Sequence, residues 1–254
     1  MSTDLRGRVA LVTGAAQGMG AAHARRLAAA GATVAVNDRE DSDALTALAT
    51  EIGGFTAPGD VSDPRRCREI AAHVAATTGR LDVLVANHAY MTMAPLLEHD
   101  GDDWWKVVDT NLGGTFFLVQ SVLPYMRDAG AGRIVVITSE WGVTGWPDAT
   151  AYAASKSGLI SLVKTLGREL AREHVIVNAV APGVTDTRQL QVDADAAGVP
   201  VEDIRRSYAD AIPMGRIGAP DEVAAAVELL SDFTLEAVVG QVISCNGGST
   251  RTRA

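Results

Sequence analysis

Short, β-branched, largely apolar runs alternate along this chain with longer stretches in which apolar positions recur every three or four residues. The runs occupy 8–13, 33–37, 83–87, 133–138, 175–180 and 241–245, and 54–58 is a weaker example. They are rich in Val and Ile and lack polar alternation, the pattern of strands buried on both faces. Ala-rich helical spacing covers 21–30, 65–78, 113–127 and 155–173, and a last helix runs over 223–230. Strands alternating with helices predict an α/β chain with a parallel sheet and right-handed crossovers. No repeat or Pro/Gly/Ser linker interrupts the alternation, so 1–254 reads as one domain. The stretch 185–218 breaks the pattern with Gly198, Pro200, Pro213 and Gly215. An insertion at that position hangs over the carboxyl edge of such a sheet, where it serves as a lid on the substrate.

Composition narrows the partners. A chain of 254 residues with 47% hydrophobic content buries one large core. A net charge of −9 disfavours nucleic acid and anionic membrane, both of which need a cationic face. No apolar stretch reaches the roughly 18 residues of a membrane span, and the first residues lack an apolar signal core. Cys67 and Cys245 are isolated, which suggests neither a disulfide nor a metal site. The expectation is a soluble, cytoplasmic protein acting on a small molecule.

The first strand runs into Thr13-Gly14-Ala15-Ala16-Gln17-Gly18-Met19-Gly20 and then a helix. Gly14 permits the tight turn, Gly18 lets backbone amides approach a diphosphate, and Gly20 allows the helix to pack close. The helix N-terminus then offers unpaired N–H groups to that diphosphate. Asp38 follows the second strand. Its carboxylate suits ribose hydroxyls and repels a 2′-phosphate, and Gln17 is neutral, so NAD is favoured over NADP. Arg39 speaks for NADP, since a guanidinium can bind phosphate or stack on adenine. Together these features specify a Rossmann-type, doubly wound sheet of about seven strands with helices on both faces.

Tyr152 precedes Lys156 by four residues. With four Tyr and three Lys in the chain, roughly 0.05 such pairs arise by chance. The other 19 basic residues are Arg. A lysine here points to a task that guanidinium cannot do: lowering the phenol's pKa while still exchanging protons. Together with Asn111, Ser139 and the glycine-rich turn, the pair makes the chain resemble the short-chain dehydrogenase/reductase family from residue 8 to about 248. Asp60-Val61, Asn87, the Asn178–Gly183 segment and the closing Gly240-Gln241 and Gly247-Gly248 extend the likeness.

The resemblance implies an NAD-dependent oxidoreductase in which Tyr152 is the acid/base and Ser139 polarises the substrate oxygen. Lys156 would bind the nicotinamide ribose and lower the Tyr152 pKa, while Asn111 supports a proton relay. It implies cofactor contacts from Met19, Asp60, Val61, Asn87, Pro182, Gly183, Val184, Thr185 and Thr187. The chain departs from the family where Ala86-Asn87-His88-Ala89 replaces the usual Asn-Asn-Ala-Gly. His88 thereby stands at the expected nicotinamide pocket, as a substrate contact or a structural ring. Asn246 replaces a common Asp.

An apolar, aromatic pocket is expected from Tyr90, Met91, Met93, Trp141, Trp146, Leu190 and Tyr208, suited to an apolar or alicyclic alcohol or ketone. Two other readings remain. One is a 3-oxoacyl-thioester reductase using Arg188, Arg205, Arg206 and Arg216 as a basic entrance for an acyl carrier protein; the other is a non-catalytic NAD-binding sensor. Relatives pair the helices at 113–127 and 155–173 across a two-fold axis, then pair dimers through the last helix and strand, which implies a homotetramer. The tail 249–254 is long enough to reach a neighbour.

Overall fold

A computed structural model describes residues 3–250. Seven strands form one sheet: β1 (Val9–Val12), β2 (Thr33–Val36), β3 (Phe55–Thr56), β4 (Val83–Ala86), β5 (Gly132–Ile137), β6 (Val175–Pro182) and β7 (Val242–Cys245). Their order is β3-β2-β1-β4-β5-β6-β7, every pair parallel. The chain winds outward from β1 in one direction and returns to β4 to wind in the other. At that reversal the connections leave β1 and β4 toward opposite faces, opening a crevice at their carboxyl ends.

Alternate strand residues feed two cores. Leu11, Leu84, Ile134 and Val177 meet α3 (Pro64–Thr78), α5 (Gly114–Asp128) and α7 (Thr150–Leu170) on one face. Val12, Val34, Val85 and Val135 meet α1 (Gly18–Ala29), α2 (Asp43–Glu51) and α10 (Pro220–Leu230) on the other. Burial of both faces explains why the strands carry no polar alternation. Two short helices, α4 (Gly101–Val108) and α6 (Trp141–Thr144), flank the carboxyl edge.

Two expectations change. Residues 185–218 are not irregular: they form α8 (Gln189–Ala197) and α9 (Val201–Ala211). Gly198 ends α8 with φ +66°, and Pro200 caps the start of α9. These are helix punctuation rather than signs of a loop. The excursion leaves and returns at one backbone clasp, with Asp186 N donating to Gly218 O (2.8 Å) and Gly218 N to Val184 O (2.9 Å). Second, α7 begins at Thr150, not 155, which places Tyr152 and Lys156 one turn apart on the same helix.

Candidate active site

The glycine-rich turn is closed from β4. Asn87 Nδ2 donates to Thr13 O (3.0 Å) and Gly14 O (3.1 Å). A Cβ on Gly20 would lie 2.0 Å from Gly14 O, and Gly14 itself has φ +60°. No side chain can be added at either position without opening the turn. Gln17 caps α1 without a side-chain hydrogen bond, so its first N–H groups face the crevice.

The crevice is a cavity of about 660 Å³, lined by the turn, by Asp38, Arg39, Asp60 and Val61 at the ends of β2 and β3, by Asn87, His88 and Tyr90, and by Thr187. It therefore gathers most residues expected for the adenosine and diphosphate. Asp38 uses one lone pair on each oxygen for Ala16 N (3.1 Å) and Arg39 N (2.8 Å), which orients the carboxylate into the cavity. Arg39 pairs with Glu40 at 3.2 Å. Pro182, Gly183, Val184 and Thr185 lie outside this lining; Thr185 is buried and donates to Gly183 O.

Ser139 follows β5, and Lys156 on α7 reaches the same strand end, donating from Nζ to Ile137 O (2.8 Å). Its Nζ is 5.5 Å from the Tyr152 ring centre. Burial pushes Lys156 down to about 7 and Tyr152 up to about 12, while the Ser139 hydroxyl pulls the phenol modestly back. The expected lowering of Tyr152 is thus not produced by the protein groups alone: desolvation outweighs the Ser139 hydrogen bond.

Asn111 lies in a π-helical turn, Asp109–Gly113, whose wider winding turns its carboxamide inward. It accepts from Tyr90 N (2.7 Å) and donates to Tyr90 O (3.0 Å) and Ser155 Oγ (3.0 Å). Asn111 is therefore the strut between the cavity wall and α7.

His88 lines the cavity as a mostly buried ring. Its Nδ1 lies 2.8 Å from Thr13 Oγ1 and its Nε2 3.4 Å from Thr115 Oγ1. Thr115 gives its own proton to Asn111 O, so Nε2 donates and Nδ1 accepts from Thr13. Burial, reinforced by the charge of Lys156, pushes His88 down to about 3. The ring braces the turn where the family's first Asn is missing. His23 is a second buried imidazole, pushed down to about 4 by burial beside Asn87, and sequence reasoning passed over it.

Trp141 and Trp146 stack at 4.9 Å, and Trp141 sets its edge against Tyr152 at 5.9 Å. These rings form an apolar wall at the phenol. Leu190 is only 2% exposed, a core residue of the 185–218 excursion rather than an open wall; Tyr208 is half-buried on α9, and Met93 is exposed. Glu140, also unforeseen, is a buried carboxylate between Ser139 and Trp141. It accepts from Ser249 Oγ and Asn246 Nδ2, and its backbone N donates to Pro182 O. No group of three or more His, Cys, Asp or Glu among the described residues is arranged to hold a metal ion. No helix among them is long and apolar enough to cross a membrane.

Comparison with known proteins agrees with this arrangement. Residues 14–250 match the family model described as enoyl-(acyl carrier protein) reductase. The 3-oxoacyl-[acyl-carrier-protein] reductase of Thermotoga maritima is 38% identical, covering 96% of this chain and 98% of the relative. A 2-dehydro-3-deoxy-L-rhamnonate dehydrogenase (NAD(+)) of a Sphingomonas strain is 38% identical over 96% of each chain. A crystal structure of 3-oxoacyl (acyl-carrier-protein) reductase from Agrobacterium tumefaciens, with NADP bound, superposes with TM-score 0.89 at 30% identity, over 96% and 95% of the two chains.

Proposed function

The chain belongs to the short-chain dehydrogenase/reductase family of NAD(P)-dependent oxidoreductases acting on CH–OH or keto groups, and from that premise we propose that it interconverts a secondary alcohol and a ketone using NAD. The observation that carries the reading is the convergence of Ser139, Tyr152 and Lys156 on the end of β5, beside a cavity bounded by Asp38. When bound, the dinucleotide supplies or accepts the hydride and, when oxidised, adds a positive charge beside the phenol. Tyr152 gives its proton to the substrate oxygen in reduction and takes it in oxidation. Ser139 Oγ holds that oxygen as a neutral donor. Lys156, brought down to about 7 by burial, exchanges protons readily near neutral pH and passes them onward, with Asn111 holding the path in register.

The Trp141–Trp146 wall suits an apolar or alicyclic carbonyl. A second reading, a 3-oxoacyl thioester, is favoured by the names of the Thermotoga and Agrobacterium relatives. It places the same chemistry on a ketone two carbons from a thioester. The basic entrance that a carrier protein needs is mostly neutralised: Arg205 pairs with Asp186 and Glu202, Arg206 with Asp203, and Arg216 with Glu222. A thioester on a small carrier fits this surface better than one on an acidic protein. The test compares kcat/KM for cyclic alcohols and ketones, a 3-oxoacyl coenzyme A thioester and its carrier-protein counterpart, each with NAD(H) and NADP(H). Turnover of none of them would refute the proposal, and a preference for the carrier protein would refute the surface argument.

The assembly we propose is a homotetramer. Phe116 on α5 is 43% exposed and Leu229 on α10 is 50% exposed, while β7 forms an uncovered sheet edge. Apolar side chains and an open strand edge gain by burial against a second copy. Of the tail at 249–254, residues 251–254 lie outside the described residues.

A further inference from the structure

We propose that Lys106 and Arg188 form a two-sided cationic clasp for the diphosphate of the bound dinucleotide. The inference rests on the dinucleotide reading of the crevice and is independent of the substrate. A diphosphate carries two negative charges, and the glycine-rich turn meets them only with backbone N–H groups. Neither Gln17 nor the first turn of α1 contributes a cation.

Two other elements do. Lys106, near the end of α4, and Arg188, the residue before α8, line the same cavity as Gly14, Gln17, Gly18 and Thr187. Lys106 is carried over the Tyr90 ring, its Nζ 4.5 Å from the ring centre. Tyr90 is itself pinned at both backbone groups by Asn111, so the ammonium rides on a fixed support. Arg188 is positioned through its neighbour: a Cβ placed on Gly18 would meet the Thr187 methyl at 3.5 Å, so Thr187 stands over the turn.

Charge pairing separates these two residues from the other arginines nearby. Arg39, Arg205, Arg206 and Arg216 all sit in ion pairs, whereas neither Lys106 nor Arg188 forms one among the described residues. The acids that line the cavity, Asp38, Glu40 and Asp60, belong to the ends of β2 and β3, where adenosine is expected. Asp60 turns one oxygen back onto Ser62. Within one cavity, acids thus stand at the ends of β2 and β3, while two cations outside any ion pair among the described residues stand on α4 and just before α8. Two unneutralised cations from different elements can engage both phosphates at once, and the Arg fork can do so in a bidentate manner.

The test is direct binding. ADP-ribose, which has the diphosphate but no nicotinamide, is titrated calorimetrically into the wild type, Lys106→Gln, Arg188→Gln and the double variant; NADH is followed by fluorescence, and adenosine serves as the phosphate-free control. Each single change should raise the Kd for ADP-ribose and NADH about tenfold, with the double variant close to the product. The salt dependence of Kd should flatten with each charge removed. Adenosine binding should not change, and Lys106→Arg and Arg188→Lys should restore most of the affinity. Hydrogen exchange should show ADP-ribose protecting residues 188–192 in the wild type but not in Arg188→Gln. Variants within twofold of the wild type, or an equal loss for adenosine, would overturn the clasp. A wild type that binds neither ADP-ribose nor NADH would instead refute the dinucleotide reading itself.

Discussion

The Lys156 ammonium lies 5.5 Å from the centre of the Tyr152 ring, yet its hydrogen bond is made to the carbonyl of Ile137, 2.8 Å away. A buried lysine held by one neutral acceptor costs the fold more than it returns. Its pKa falls from 10.5 to about 7, so between those values the unfolded chain binds the extra proton and stability rises with pH. Lys156→Met should therefore be more stable than the wild type at pH 7, by an amount on the order of a few kcal/mol, while losing nearly all activity. Its stability should also become flat across pH 7–10. Denaturant titrations at several pH values check this; a variant less stable at pH 7 would contradict it.

Tyr152→Phe should lower kcat by 10²–10⁴ or more while leaving the Kd for NADH within about threefold. Because burial pushes the phenol up to about 12, alcohol oxidation, which needs it deprotonated, should accelerate as pH rises from neutrality. Reduction should be flat or fall over the same range. Steady-state profiles in both directions provide the check.

Cofactor choice is expected to follow Asp38. Removing the carboxylate and adding a donor in Asp38→Ala with Gln17→Arg should shift the ratio of NADP to NAD affinity by about 10²-fold toward NADP. A wild type that binds NADP more tightly than NAD would transfer the deciding role to Arg39.

Two buried neutral imidazoles make the fold acid-sensitive. His23 and His88 are pushed down to about 4 and about 3, so as pH falls below 6.5 the unfolded state gains protons that the native state refuses. Stability should drop through that window, by roughly 3 kcal/mol at pH 4 for His23 alone. His23→Leu should remove its share, seen as a smaller difference in Tm between pH 7 and pH 4.

The oligomer can be broken at one position. Phe116→Glu places a charge on the exposed apolar face of α5 and should halve the assembly's mass by light scattering, with the monomer fold intact by circular dichroism. A wild type that scatters as a 26.5 kDa monomer would exclude the tetramer.

Strand identity was readable because both sheet faces are covered, leaving Val9–Val12 apolar at every position and Val175–Pro182 apolar at all but Asn178. The π-helical turn at Asn111 was not readable, since its sequence differs little from that of a regular helix. The stretch 185–218 reads as irregular in the sequence because Gly198 and Pro200 mark a helix boundary as readily as a loop. The placement of Tyr152 and Lys156 was legible from their spacing, since four residues are one helical turn. Lys106, Arg188, His23 and Glu140 carry no motif: only the fold brings them to the crevice and its supports. The His88 tautomer depends on Thr13 and Thr115, 102 positions apart in chain order and adjacent only across the sheet edge.

The buried carboxylate of Glu140 ties the two ends of this machinery together. Its donors, Ser249 and Asn246, come from the last described turn of the chain, while its backbone is continuous with Ser139. Removing the Ser249 hydroxyl would leave Asn246 Nδ2 as the remaining side-chain donor to this carboxylate among the described residues. Residues more than 100 positions downstream thus help to hold the backbone on which Ser139 sits.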